Sequence, residues 1–593
     1  MAKENKCLLQ YLQICVLLVL TACGGTGANN PNTETGTGTS PEPVFTSTEA
    51  ARFLTHATFG PRSAEISALR NASPSQWYRQ QAALTPSLLS PVVAEFANRA
   101  PFRTLWRFSV TFGFWRNTIT AQDQLRQRMA FALSELLVVS NSGGEVLRDV
   151  PDALAYFEDL LIANAFGNYR DILELVTYSP AMGYFLTYQG NLPADPNTGR
   201  MPDENYAREL LQLFTIGVIE LNTDGTPKLD ANGQMVETYS NNDITGLAKV
   251  FTGLVLDGDI SEDLAEQEFI AAQSFAYSRP MLTIANQHST DEKTFLGMTI
   301  PAATNARQSI GAALDHIFAH ANVGPFVGRQ IIQRLVSSHP STHYVERVAT
   351  AFNQGSYQLP DGSLTGTGRR GDLAATVAAA LFDDEALNLG NDRMGRVREP
   401  ILRFTHWARA FNVKNVTAEY VTDLYDTSEV TVLGQHPYGA PSVFNFFRPG
   451  YKAPGSVTGA QGLTAPELQI TNASSIPSYV NFMEFFVTGK QAFTDIDDLQ
   501  REFDDRQIDL GANQALDSFL PDYSIELNLA DSPAALLDHL DLLLTYGTLS
   551  TPTRESIIDT LTLIPIATDE ERRLRVHTAI LMLMTAPDYL VSQ

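Results

Sequence analysis

Apolar residues recur at three- and four-residue spacing along most of this chain, and that period constrains the fold more than any other feature. Leu125, Met129, Leu133 and the pair Leu136-Leu137 fall on one face of a helix, while Arg126, Arg128 and Glu135 fall on other faces. The same spacing runs through Ala153 to Asn164, Tyr169 to Val176, Glu204 to Phe214, Ala312 to Ala321, Val327 to Val336, Tyr344 to Phe352 and Leu373 to Leu381. Further helices are expected near Glu399 to Phe411 and Leu574 to Met584. The pattern predicts a mainly α protein with one large multi-helix globular body. One stretch departs from it. Between Gly217 and Tyr239, Val218 to Leu221 and Met235 to Tyr239 flank the turn signals Asp224-Gly225 and Asn232-Gly233, which predicts a small β-hairpin inserted at about residues 217–240. The pairs Asn222/Asp224 and Asp230/Asn232 fit turn chemistry better than calcium, because neither is followed by the glutamate at loop position 12 of an EF-hand.

The N-terminus has the layout of a cleaved export signal. Lys3 and Lys6 precede an apolar run from Leu8 to Leu20, which ends in Leu20-Thr21-Ala22-Cys23. Gln10 and Gln13 interrupt this run, which is shorter than the roughly 20 apolar residues a membrane span needs. It resembles a bacterial lipoprotein processing site, so residues 1–22 are expected to be a signal peptide and Cys23 the lipidated residue. Each buried CH₂ of the acyl chains contributes about 0.8 kcal/mol to anchoring. Gly24 and Gly25, in place of an aspartate, favour the outer membrane. Residues 23–44 then form the lipidated cysteine and a Gly-, Thr-, Asn- and Pro-rich tether, with a reach of roughly 25 Å. The helical body occupies residues 45–593. Cys7 and Cys15 lie in the removed segment, so no disulfide and no cysteine metal site is expected. The formal charge of −25 argues against nucleic acid as a partner.

Several blocks carry a family resemblance: Ala51 to Leu54 with Ala57 to Gly60, Gln124 to Ser134, Asp203 to Phe214, Phe251-Thr252-Gly253, His288 with Lys293 to Gly297, Arg334 to Ser338 and Ala440 to Phe447. In this order they resemble the bacterial domain-of-unknown-function 1800 family. The resemblance implies an exported, largely helical protein. It also implies a possible partner from the domain-of-unknown-function 1501 family, itself similar to sulfatases and alkaline phosphatases. Phe214 stands where many relatives show histidine.

Candidate site residues follow from local chemistry. Asp203 can cap a helix in which Glu204 and Arg208 stand one turn apart and Asn205, Arg208 and Glu209 share a polar face. That face is either a polar network between helices or a site in which Glu209 or Asp203 acts as base or metal ligand, assisted by Arg208 and His288. His288 lies near Asp291 and Lys293 in a polar, loop-like stretch. His316 and His320, four apart, are weak metal candidates, and His339 and His343 repeat the spacing. Asn205, Tyr206, Tyr438, Phe444 and Phe447 are candidate binding residues. The last three lie in a proline- and glycine-rich stretch from His436 to Gly455, where rings either stack on sugars or pin a long loop to the core. A second aromatic cluster, Phe102 to Trp115, reads as core. No nucleophile elbow, phosphate loop or dinucleotide fingerprint is present, and no cofactor is expected. The expected function is a lipid-anchored envelope component that binds or assembles an extracellular or periplasmic polymer or a partner hydrolase. The alternative is a carboxylate-based, possibly metal-assisted hydrolase of the envelope.

Overall fold

The computed structural model describes residues 44–99, 105–258, 260, 264–388, 395–490 and 518–592. Cys23, the signal and tether segments around it, and Phe102 lie outside the described residues. The body opens with helix Ser47–Ala57, started by a capping box in which Thr46 Oγ1 accepts from the Glu49 amide at 3.2 Å and the Glu49 carboxylate accepts from the Thr46 amide at 2.7 Å. The same device opens helix Asp569–Thr585 through Thr568 and Glu571. The helices that follow pack around one hydrophobic core, and the mainly α expectation holds.

Helix Gln124–Ser134 lies at the centre of this packing. Helices Ser47–Ala57, Pro74–Ala83, Ser109–Thr120, Pro151–Ala163 and Val323–Leu335 all pack on it, so every one of its residues is buried, the charged ones included. Its polar faces therefore meet protein where a one-sided amphipathic helix would meet water. Arg126 donates to four carbonyls, among them Ala82 at 2.8 Å and Leu84 at 3.2 Å at the end of the helix beside it. Arg128 donates to the carbonyl of Arg334. Open carbonyls at helix ends accept hydrogen bonds readily, and long arginines reach them.

Among the described residues strand content is confined to two-stranded antiparallel pairs: Leu254–Val255 with Leu282–Thr283, Lys293–Phe295 with Met298–Ile300, Tyr357–Gln358 with Leu364–Thr365, and Arg396–Val397 with Val591–Ser592. The 217–240 segment forms a ribbon held by isolated bridges, Ile219 to Glu237, Leu221 to Pro227 and Leu229 to Met235. Its turns use glycine at positive φ, +77° at Gly225 and +78° at Gly233, and Asp224 and Asp230 accept the turn amides. Between helix Asn205–Glu209 and this ribbon the backbone widens into a π turn, Leu210–Thr215, in which the Ile216 amide bonds the Leu211 carbonyl. Among the described residues no helix is long and apolar enough to cross a membrane.

Candidate functional site

A cleft of ≈ 520 Å³ opens where four of the motif-bearing segments meet. One wall is helix Val323–Leu335, which turns Phe326, Gln330 and Arg334 to the same side because they are four residues apart. The π turn supplies Gln212 and Leu213 and leads directly into Gly217 and Val218. The widened turn buries Leu210, Leu211, Phe214 and Thr215 while keeping Gln212 and Leu213 at the cleft, a use of π geometry that recurs at functional sites. The opposite wall is the loop Val443 to Pro449. Gln333 Nε2 ties this loop down by donating to the Pro449 carbonyl at 2.9 Å. Asn445 sits at φ +63° within it, and the Arg448 guanidinium lies 5.0 Å from the centre of the Phe444 ring.

The floor is ionic. Glu135 and Arg334 line it, with Arg334 Nη2 donating to the Glu135 carbonyl at 2.8 Å and Nη1 to Gln330 Oε1 at 3.1 Å. Arg334 Nε stands 3.7 Å from a Glu135 carboxyl oxygen, too far for a hydrogen bond. Three buried groups here have no hydrogen-bond partner among the described residues: both Glu135 carboxyl oxygens, Arg334 Nε and Asn445 Nδ2. Burial, and then the charge of Glu399, push the Glu135 carboxyl well above the usual range. Burial opposes ionisation of Glu399 too, but Arg396, the hydrogen bond with Glu135 and the Arg128 charge hold it below. Glu399 already accepts from Arg396 Nη2 and, at 2.7 Å, from Gln435 Nε2. Two ionised carboxylates cannot bond each other, so one proton on Glu135, donated to Glu399, resolves the contact. The second Glu135 oxygen, Arg334 Nε and Asn445 Nδ2 stay buried and unpartnered among the described residues, beneath a cleft that Phe326, Phe444 and Phe447 line.

The residues singled out from sequence scatter around this site. Phe444 and Phe447 line the cleft. Tyr438 lies against Phe114, ring centres 5.4 Å apart, and Tyr206 stacks on Tyr188 at 4.2 Å with its hydroxyl on Thr177, so both rings belong to the core. Asp203 caps the helix start, accepting from the Asn205 amide at 2.8 Å and from the Thr187 hydroxyl at 2.9 Å. Arg208 pairs with Glu204 at 3.2 Å and is half-buried, while the neighbouring Glu209 is buried with Oε2 unpartnered among the described residues and its carboxyl pushed up by burial. His288 is buried as well: Nδ1 lies 2.9 Å from the Thr252 carbonyl and Nε2 3.3 Å from the Ser309 hydroxyl. Neither Glu209 nor His288 lines the cleft. His316 Nε2 contacts the Leu296 carbonyl, and His320 accepts from the Asn322 amide while its Nε2 meets Glu220 at 3.3 Å. His339 precedes helix Thr342–Gln354, which carries His343, so that pair does not share a helical face. Among the described residues no group of three His, Cys, Asp or Glu could hold a metal ion.

A second cleft, ≈ 380 Å³, contains Thr111, Asp426 and His436. His436 Nδ1 accepts from the Thr427 amide at 3.1 Å, which leaves the ring hydrogen on Nε2, pointed at the Thr111 hydroxyl 3.2 Å away. This tautomer donates to Thr111 and cannot take its proton, and burial lowers the imidazole to about 4. The arrangement is structural.

Glu135, Arg334 and Asn445 escape a residue-by-residue reading because their partners come from distant parts of the chain. The available signal was positional: Glu135 directly follows the Gln124 to Ser134 block, and Arg334 and Asn445 lie inside two others.

A family model described as "Protein of unknown function (DUF1800)" matches residues 52–591. No curated protein and no solved structure matches the chain.

Proposed function

Since the chain belongs to the domain-of-unknown-function 1800 family, whose description assigns no activity, we propose its function from the cleft: a lipid-anchored envelope protein that binds a saccharide unit of an extracellular or periplasmic polymer and presents it to a partner hydrolase. The observation that carries this reading is the set of buried, unpartnered hydrogen-bonding atoms on Glu135, Arg334 and Asn445, residues that line one cleft with three phenylalanine rings. Buried polar atoms are rarely left unpaired without a ligand or water to meet them. Ring faces beside a few converging polar atoms suit a hydroxyl-bearing ring. Hydrolysis of a glycan normally needs two carboxyl groups flanking the bond, and among the described residues Glu135 is the only acidic one lining the cleft. That favours binding over the hydrolase alternative. Lipidation at Cys23 and a domain-of-unknown-function 1501 partner rest on the residues of the N-terminus and on the family resemblance.

Calorimetric titration of the protein with soluble fragments of its own envelope polymers tests the cleft. Phe444→Ala and Asn445→Ala should each weaken binding about tenfold, equivalent to about 1.4 kcal/mol, and leave the melting temperature unchanged for the partly exposed Phe444. Equal affinity of both variants and the parent would refute the site. Cys23→Ser should release the protein from the membrane fraction, and retention would refute the anchor.

A further inference from the structure

The cleft keeps a cation that the rest of the fold does not neutralise. Three of its lining residues carry formal charge, Glu135, Arg334 and Arg448. Glu135 and Arg334 stand together at the floor, Arg334 Nε 3.7 Å from a Glu135 carboxyl oxygen, so an ionised Glu135 offsets Arg334 and no more. The lining therefore carries at least one net positive charge whether or not Glu135 holds a proton. The excess falls on Arg448. This residue is exposed, and among the described residues its guanidinium has no ion-pair or hydrogen-bond partner. Its neighbour is the Phe444 ring, whose centre lies 5.0 Å away.

The backbone holds this arginine in place. Its amide donates to Gln469 Oε1 at 2.9 Å, its carbonyl accepts from the Tyr451 amide at 3.0 Å, and the next carbonyl, of Pro449, accepts from Gln333 Nε2 at 2.9 Å. A side chain on a fixed backbone and against a ring has less freedom to lose on binding than one free in solvent. Two glutamines add neutral donors. Gln212 Oε1 accepts from the Tyr239 hydroxyl at 3.3 Å and Gln330 Oε1 from Arg334 Nη1 at 3.1 Å. The Nε2 group of each has no partner among the described residues, and neither is sealed from solvent. Both residues line the cleft beside the phenylalanine rings.

Resting on the saccharide reading above, we infer that the cleft selects an acidic sugar, a uronic acid or similar unit whose carboxylate is met by the Arg448 guanidinium while its ring packs on the phenylalanines. A guanidinium offers parallel N–H donors that match a carboxylate two to two. One uncompensated guanidinium balances one negative charge, which suits a carboxylate better than a doubly charged phosphate monoester. The formal −25 of the chain does not forbid this. At physiological ionic strength charges more than about 8 Å away are largely screened, so the contact pair dominates.

Soluble fragments of the protein's own envelope polymers, as isolated and after methyl-esterification of their carboxyl groups, are the probes. In calorimetric titration the wild-type protein should bind the free-acid fragments about tenfold more tightly than the esters, the scale of one charge-assisted hydrogen bond. Arg448→Gln should bring the two affinities together. The wild-type comparison decides the matter even if the variant is impaired. Equal affinity for acid and ester, or a preference that survives in Arg448→Gln, would overturn the inference and leave the saccharide reading standing. Failure of both forms to bind would overturn that reading and the inference with it.

Discussion

Replacing Glu135 by glutamine should leave the protein folded and change how its stability responds to pH. In the unfolded chain this carboxyl titrates near 4.3, whereas in the fold burial and the adjacent Glu399 charge raise it well above that value. Between the two values the native state binds one proton more than the unfolded state. The associated stability is complete below the unfolded value and is lost as pH rises through the folded one. The slope is about 1.4 kcal/mol per pH unit for as long as Glu135 stays protonated in the fold. Glutamine copies the protonated form: its amide donates to Glu399 and its oxygen faces Arg334. Relative to the parent, Glu135→Gln should therefore gain stability steadily with pH. Glu399→Gln is the contrast. It removes the ionised acceptor of Arg396 Nη2 and Gln435 Nε2, and breaking a buried pair from one side costs about 3–5 kcal/mol at any neutral pH. Urea unfolding followed by circular dichroism over a pH series measures both. Parallel pH profiles for the parent and Glu135→Gln, or equal losses in the two variants at neutral pH, would show that the proton is not where the geometry puts it.

Arg409→Met should lower stability by about 3–5 kcal/mol in the same assay, because the fully buried guanidinium bonds both Glu65 oxygens at 2.8 and 3.0 Å and the carbonyls of Gly60 and Ile119. Gly246→Ala should cost about 1–3 kcal/mol or more, since a Cβ there would stand 1.8 Å from the Thr294 carbonyl oxygen, and thermal melting reads it directly. On the acid side, His436 is lowered by burial to about 4 against about 6.5 unfolded. The stability this represents is present above 6.5 and lost as pH falls toward 4, up to about 3 kcal/mol. His436→Gln should shift the acid-unfolding midpoint downward, and an unchanged midpoint would exclude His436 from acid unfolding.

Local chemistry was legible wherever both partners lie close in sequence. The Glu204 and Arg208 pair, the Asp224-Gly225 and Asn232-Gly233 turns and the helical course of most of the body all depend on spacings of a few residues. Aromatic density in the His436 to Gly455 stretch pointed to Phe444 and Phe447, but the same signal covers Tyr438, which packs on Phe114, because ring content does not say which side of a loop faces solvent. The spacing puts Arg126 and Arg128 off the apolar face of Gln124–Ser134 but does not say what they meet there. Five helices surround this one, and the neighbours that accept from its arginines, such as the Ala82 and Arg334 carbonyls, are backbone groups that leave no trace in side-chain patterning. Glu135 and Arg334 are separated by 199 residues, so no periodicity links them.

That separation governs how the body can come apart. Arg128 and the Arg334 carbonyl are 206 residues apart, and Arg396 meets Ser592 across 196, so the loop-closure entropy of the ionic core is met only when remote segments arrive together. Neither half of the chain completes this core alone, because Arg128 and Glu135 lie in the first half and Arg334, Arg396, Glu399 and Glu467 in the second. Partial opening near the core would expose uncompensated charge to a low-dielectric interior. Amide hydrogens around Arg128, Arg334 and Glu399 should therefore exchange only through global unfolding, as one cooperative block, while the 217–239 ribbon exchanges independently and early.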